Sequence, residues 1–97
     1  MKLANGFEIG RFHLKPGVTE AALLQAGRRM DREHLQCQAG FVAHHLVRLD
    51  DGLYLDLVFA DTRADAERLC RSWQGQAHCE AFMALIDPVS IRFGVVL

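Results

Sequence analysis

The stretch GFVAHHLVRLDDGLYLDLVF, Gly40 to Phe59, decides the fold. Side chains of a strand point alternately to opposite faces, so its first half divides into Phe41, Ala43, His45, Val47 and Val42, His44, Leu46, Arg48. Its second half divides into the wholly apolar Leu53, Leu55, Leu57, Phe59 and the mixed Tyr54, Asp56, Val58. Asp50-Asp51-Gly52 between them is a hairpin signal. Two paired strands with a carboxylate and a histidine on one face follow.

Outward from this hairpin the chain reads as one pattern. Glu8 to Leu14 is a first strand, with Glu8, Gly10, Phe12, Leu14 on one face and Ile9, Arg11, His13 on the other. Thr19 is placed to cap a helix, with Val18 and Leu23 at the positions of a hydrophobic staple. Leu23, Ala26, Met30, His34 and Cys37 recur at helical spacing and carry that helix to about Gln38. The charged run Arg28 to Glu33 reads as its solvated face. After the hairpin, Asp61 or Thr62 caps a second helix with the stripe Ala66, Leu69, Cys70, Trp73. A shorter helical piece spans His78 to Ile86 and stops at Asp87-Pro88. A last strand runs from Val89 to Val96, with Val89, Ile91, Phe93, Val95 on one face.

The order β-α-β-β-α-β is the split βαβ pattern of an α+β, ferredoxin-like fold. Right-handed crossovers give a four-stranded antiparallel sheet ordered 4-1-3-2 with both helices on one face. The apolar Leu53-Leu55-Leu57-Phe59 face is expected against the helices. Ile9, Val42, Leu46, Tyr54, Val58 and Val96 then remain on the far face, which is too apolar for water, and a second copy of the chain is expected to cover it.

Composition narrows the classes of function. Ninety-seven residues, 51% of them hydrophobic, make a single domain over 1–97. Eleven Lys and Arg against twelve Asp and Glu give a net charge of −1 with scattered cations, so no nucleic-acid footprint exists. No apolar run approaches the roughly 18 residues of a membrane span, and the start Met-Lys-Leu-Ala-Asn-Gly lacks the apolar core of an export signal. Three cysteines without a CxxC pair point to reduced thiols and a cytoplasmic protein. Cys37 and Cys70, on apolar stripes, are expected as buried free thiols. His34 with Cys37 and His78-Cys79 match no zinc spacing, so no metal site is expected.

Together with the element order, the segments GFVAHHLVRLDDGLYLDLVFAD and CEAFMALIDPVSI (Cys79 to Ile91) resemble the dimeric α+β barrel superfamily, specifically its antibiotic-biosynthesis-monooxygenase-like group. The resemblance covers nearly the whole chain. It implies a homodimer with sheets packed face to face and a small-molecule pocket in each protomer. The activities it implies are cofactor-independent oxygenation of aromatic compounds, isomerisation, haem degradation, or none. The haem-degrading members have an Asn on the first strand, a Trp in the second helix and a His about ten residues beyond it. Trp73 fits the second position, whereas Gly10 and Met83 stand at the others.

The polar residues expected to converge are Arg11 and His13 from the first strand, His44 and Arg48 from the second, Tyr54 and Asp56 from the third, and Arg92 from the fourth. In one reading Asp56 orients His44 or His13 as a general base on a phenol or enol, while Arg11, Tyr54, Arg92 and Trp73 hold the substrate. No cofactor is implied by that reading. In the other, the same residues are a structural ion-pair network in the dimer interface, and the protein binds a ligand or serves as an accessory without a reaction.

Overall fold

The computed structural model describes residues 4–97; Met1 to Leu3, part of the start read for an export signal, lie outside them. The hairpin forms β2 (Phe41–Arg48) and β3 (Tyr54–Ala60). Gly52, at φ 89°, adopts the left-handed backbone the turn requires and its N–H donates to the Leu49 carbonyl at 3.0 Å. Around the hairpin lie β1 (Gly6–Leu14), α1 (Glu20–Glu33), α2 (Arg63–Arg71), α3 (Ala77–Met83) and β4 (Ile86–Val95). The sheet is antiparallel in the order β2-β3-β1-β4, the expected ferredoxin-like topology. Thr19 and Thr62 cap α1 and α2, each side-chain oxygen accepting a backbone N–H three residues on. No helix among the described residues is long and apolar enough to cross a membrane.

The expected assignment of faces is reversed in β2 and β3, while Ile9 of β1 lies on the far face as expected. Glu8, Gly10, Phe12 of β1 and Asp56, Val58, Ala60 of β3 are buried under the helices. Phe12 meets Phe82 of α3 edge to face, and Leu46 of β2 reaches Gly27 of α1. Leu55, Leu57 and Phe59 therefore lie on the open face with Phe7 and Ile9. Val58, expected on the far face, is fully buried in the core. Both faces of β3 are apolar enough to be internal, and the one with smaller or polar groups accommodates the helices and the charged residues they cover.

Two bulges shift the pattern further. The β2–β3 register slips between Phe41 and Ala43, which turns Phe41 onto the helix-covered face beside Ala60. The β1–β4 register slips between Arg11 and Phe12, so Pro88 and Ile86 share the helix side with Ile91 and Phe93. Pro88 sits inside β4 rather than before it because β4 is an edge strand, where a missing N–H costs no ladder bond. A third departure concerns α1, which ends at Glu33 and passes into a single 3₁₀ turn, Leu35–Cys37. That turn leaves Cys37 exposed, Cys70 is half-buried, and Cys79 is the buried thiol.

Candidate functional site

The helix-covered face of the sheet carries a line of ionisable groups that a hydrophobic core would not contain without reason. His44 projects from β2 toward α1 with only 2% of its side chain exposed. Its Nδ1–H donates to Asp31 of α1 and its Nε2–H to Asp56 of β3. A ring that donates from both nitrogens is the imidazolium form. The two carboxylates outweigh the burial that opposes its charge and raise its pKa to about 10. With each ring nitrogen bonded to a carboxylate, His44 clamps α1 and β2 to β3.

Beside the clamp lies Glu8, 3% exposed, on the neighbouring strand β1. Burial, aided by the negative charge of Asp56, raises its pKa from 4.5 to about 7, with Cys70 and His44 pulling the other way. Its Oε2 is buried without a hydrogen-bond partner among the described residues. The Cys70 thiol next to it is held protonated, its pKa raised to about 11 by burial and by the Glu8 charge.

These groups border a cavity of about 290 Å³ between the sheet and the α2–α3 corner. Glu8, Gly10 and Asp56 face it from the sheet, while Met83 of α3 closes it together with Trp73, which lies in the turn after α2 rather than in the helix. Exposed Gln74, Glu80, Pro88 and Ile91 stand at its mouth. The Trp73 indole packs edge to face on Phe82, and its Nε1–H is the second buried polar atom without a partner. Both unbonded atoms of the described core therefore belong to residues of one cavity. Gly10 contributes by what it lacks: a Cβ there would project toward Asp56 at 3.5 Å, into the cavity's base.

Of the residues singled out from sequence, His44, Asp56 and Trp73 come together here. Tyr54 shares the face but points to the far end of β3. There its hydroxyl donates to Glu20 at 2.9 Å, Arg48 donates to the same oxygen, and its ring stacks on Phe12. Arg11, His13 and Arg92 are on the opposite, open face, paired in register with Leu55, Asp87 and Ile9. Because side chains alternate along β1 and β4, Arg11, His13 and Arg92 project away from the face that carries Glu8 and Asp56. Arg11 is nevertheless among the residues that border the cavity. Glu8 and Asp31 were missed. The signal for Glu8 was its place between glycines on the face of Phe12 and Leu14, a carboxylate with no room for water. Gly10 and Met83, which stand where the haem-degrading pattern has Asn and His, both border the cavity and supply neither group.

Among the described residues no group of three or more His, Cys, Asp or Glu is placed to hold a metal ion. No protein-family model and no curated protein matches the chain. Solved structures do match it along its length. SnoaB, a cofactor-independent oxygenase from Streptomyces nogalater, superposes with a TM-score of 0.66 at 20% identity, over 98% of this chain and 93% of that one. A proposed antibiotic biosynthesis monooxygenase from Bordetella bronchiseptica gives 0.78 at 16% identity, over 98% and 99%. A dimeric ferredoxin-like protein from an uncultured marine organism gives 0.60 at 12% identity, over 99% and 90%. The chain has the ferredoxin-like fold of antibiotic-biosynthesis-monooxygenase-like structures.

Proposed function

We propose that the protein is a small-molecule enzyme that removes a proton from an aromatic or enolisable compound, with Glu8 as the general base. The observation that carries this is the unbonded Oε2 of Glu8 in an apolar cavity shared with an unbonded indole N–H. A carboxylate whose pKa is about 7 is ionised in half its copies at neutral pH, and is a far stronger base than an exposed Glu. Trp73 Nε1–H would donate to the oxygen on which the product anion concentrates its charge. Asp56, fixed by His44, keeps Glu8 from ionising too early. His44 stabilises this arrangement without itself exchanging the proton.

From the resulting anion two outcomes follow with no cofactor required. Reprotonation at another carbon isomerises the substrate. Alternatively, dioxygen adds at the anionic carbon and the protonated peroxide loses water, which converts a CH₂ group and O₂ into a carbonyl and H₂O. The description of SnoaB as a cofactor-independent oxygenase supports the second. The assembly belongs to the same proposal: a second copy covers the open sheet face, in keeping with the dimeric ferredoxin-like neighbour.

The test is solvent hydrogen exchange. A panel of phenols and enolisable ketones is incubated with the protein in heavy water, and deuterium at acidic carbons is followed by NMR while an electrode records dioxygen. Exchange whose rate rises with pH through about 7, and which Glu8→Gln slows by roughly 10²–10⁴-fold, is expected. Exchange that Glu8→Gln leaves unchanged would remove Glu8 from the mechanism. Dioxygen uptake separates the oxygenase from the isomerase.

A further inference from the structure

The two unbonded atoms of the cavity, its charge and its volume together restrict what it takes, given the reading of Glu8 as base. We propose that the ligand is a compact neutral acid, a one- or two-ring hydroxyaryl ketone or the corresponding enol, which enters uncharged and satisfies Glu8 and Trp73 at once.

Hydrogen-bond valence comes first. Glu8 Oε2 requires a donor and Trp73 Nε1–H requires an acceptor. A ligand with only a hydroxyl or only a carbonyl leaves one of them buried and unpaired, and so binds more weakly. A compound carrying both leaves neither. Charge comes next. Asp31 and Asp56 around the single His44 cation make the cluster net negative before Glu8 ionises at all. An anion of the same shape must shed its hydration and approach those carboxylates, and the His44 cation beside it is already bonded to both of them. A protonated amine would suit Glu8 and the negative cluster, but an ammonium group only donates and so leaves the indole N–H unpaired. Volume sets the last limit. About 290 Å³ is at the small end of ligand pockets, enough for one or two fused rings between the Trp73 and Phe12 side chains.

Trp73 is the single tryptophan of the chain, so its indole N–H gives one nitrogen-15 NMR signal that reports on this cavity alone. The native protein is titrated with meta- and para-hydroxyacetophenone. Comparators are acetophenone, phenol, para-hydroxybenzoate and phenethylamine. One of the hydroxyketones should move the indole signal and bind at least tenfold more tightly than any comparator, a factor that corresponds to about 1.4 kcal/mol. Glu8→Leu should erase its advantage over acetophenone. Trp73→Phe, read by thermal shift, should erase its advantage over phenol. If para-hydroxybenzoate or phenethylamine binds as tightly as either hydroxyketone, or if phenol or acetophenone does, the neutral-acid class is overturned while the exchange assay still decides the role of Glu8. If no compound moves the indole signal of the folded protein, the class and the cavity as a binding site fall together.

Discussion

A carboxylate buried beside another carboxylate makes the stability of the whole chain depend on pH, and Glu8 sets the direction. Its pKa is about 7 in the fold against 4.5 for a free Glu. Below 4.5 the folded and unfolded chains are both protonated there and nothing is lost. Between 4.5 and 7 the unfolded chain sheds the proton and the folded one keeps it, so stability falls, by a sum on the order of 3 kcal/mol. His44 continues the trend, since its folded pKa of about 10 lies above the ordinary 6.5. Its contribution is complete below 6.5 and declines as pH rises to about 10. Urea unfolding should therefore show stability declining steadily from about pH 4.5 to pH 10, and Glu8→Leu should flatten the part between 4.5 and 7. An unchanged pH curve in that variant would contradict the burial of the charge. Asp56→Asn should destabilise the protein by about 3 kcal/mol in a thermal melt, because it leaves the His44 cation half paired. His44→Ala strands two carboxylates and should cost at least as much. Melts of both variants that match the parent would show the clamp to be dispensable. Alternation in the hairpin made the pairing of His44 with Asp56 legible, whereas nothing local in the run Arg28 to Glu33 marked Asp31 apart from its charged neighbours. Only the rotation of α1 against β2 selects it.

At the scale of elements, close approach of α2 to β1 depends on Gly6. A Cβ at that position would lie 2.2 Å from the Thr62 carbonyl carbon and 2.3 Å from the Arg63 nitrogen, where only backbone could yield. Gly6→Ala should lift the start of α2 off the sheet and lower stability by several kcal/mol, visible as lost amide protection in α2. Gly27→Ala makes the useful contrast. Its Cβ would press on Leu46 Cδ1 at 2.9 Å, the end of a side chain that can rotate, so a cost of about 1 kcal/mol or less is expected. Equal losses in the two variants would refute this account of the packing. The caps, the hairpin and the strand order were readable because each rests on local chemistry or on a general rule of handedness. Face assignment was not. A period of two says which residues lie together, yet it does not say which set the helices cover when both are apolar, as in β3. The slips at Phe41/Ala43 and Arg11/Phe12 then change the parity of β2 and β4 with no marker in composition.

For the whole molecule, the open face decides the assembly. Phe7 and Phe59 pack ring to ring there, His45 meets Phe59 edge to face, and Ile9, Leu55 and Leu57 complete an apolar surface without a helix over it. The expected homodimer should bury at least about 800 Å² per partner and sediment as a dimer at micromolar concentration. Leu57→Glu, on the open face, should yield a folded monomer. A charge at Val58 should instead unfold the protein, because that side chain is fully buried beneath the helices. A parent protein that sediments as a monomer would end the dimer proposal. A mirror-image result, with Val58 variants monomeric and folded, would mean that the faces are assigned backwards.

The clamp of Asp31, His44 and Asp56 also bears on how this sequence can drift. Each of the three is held in place by the charge of another, and they come from three different elements. Changing His44 strands two carboxylates and changing either Asp leaves the His44 cation half paired, while replacing all three with apolar groups of similar volume removes the charges together and can be neutral. The trio is therefore inherited or lost as a set. Descendants of this chain should carry all three residues or none, with the intermediate combinations rare even where the rest of the core has been freely exchanged.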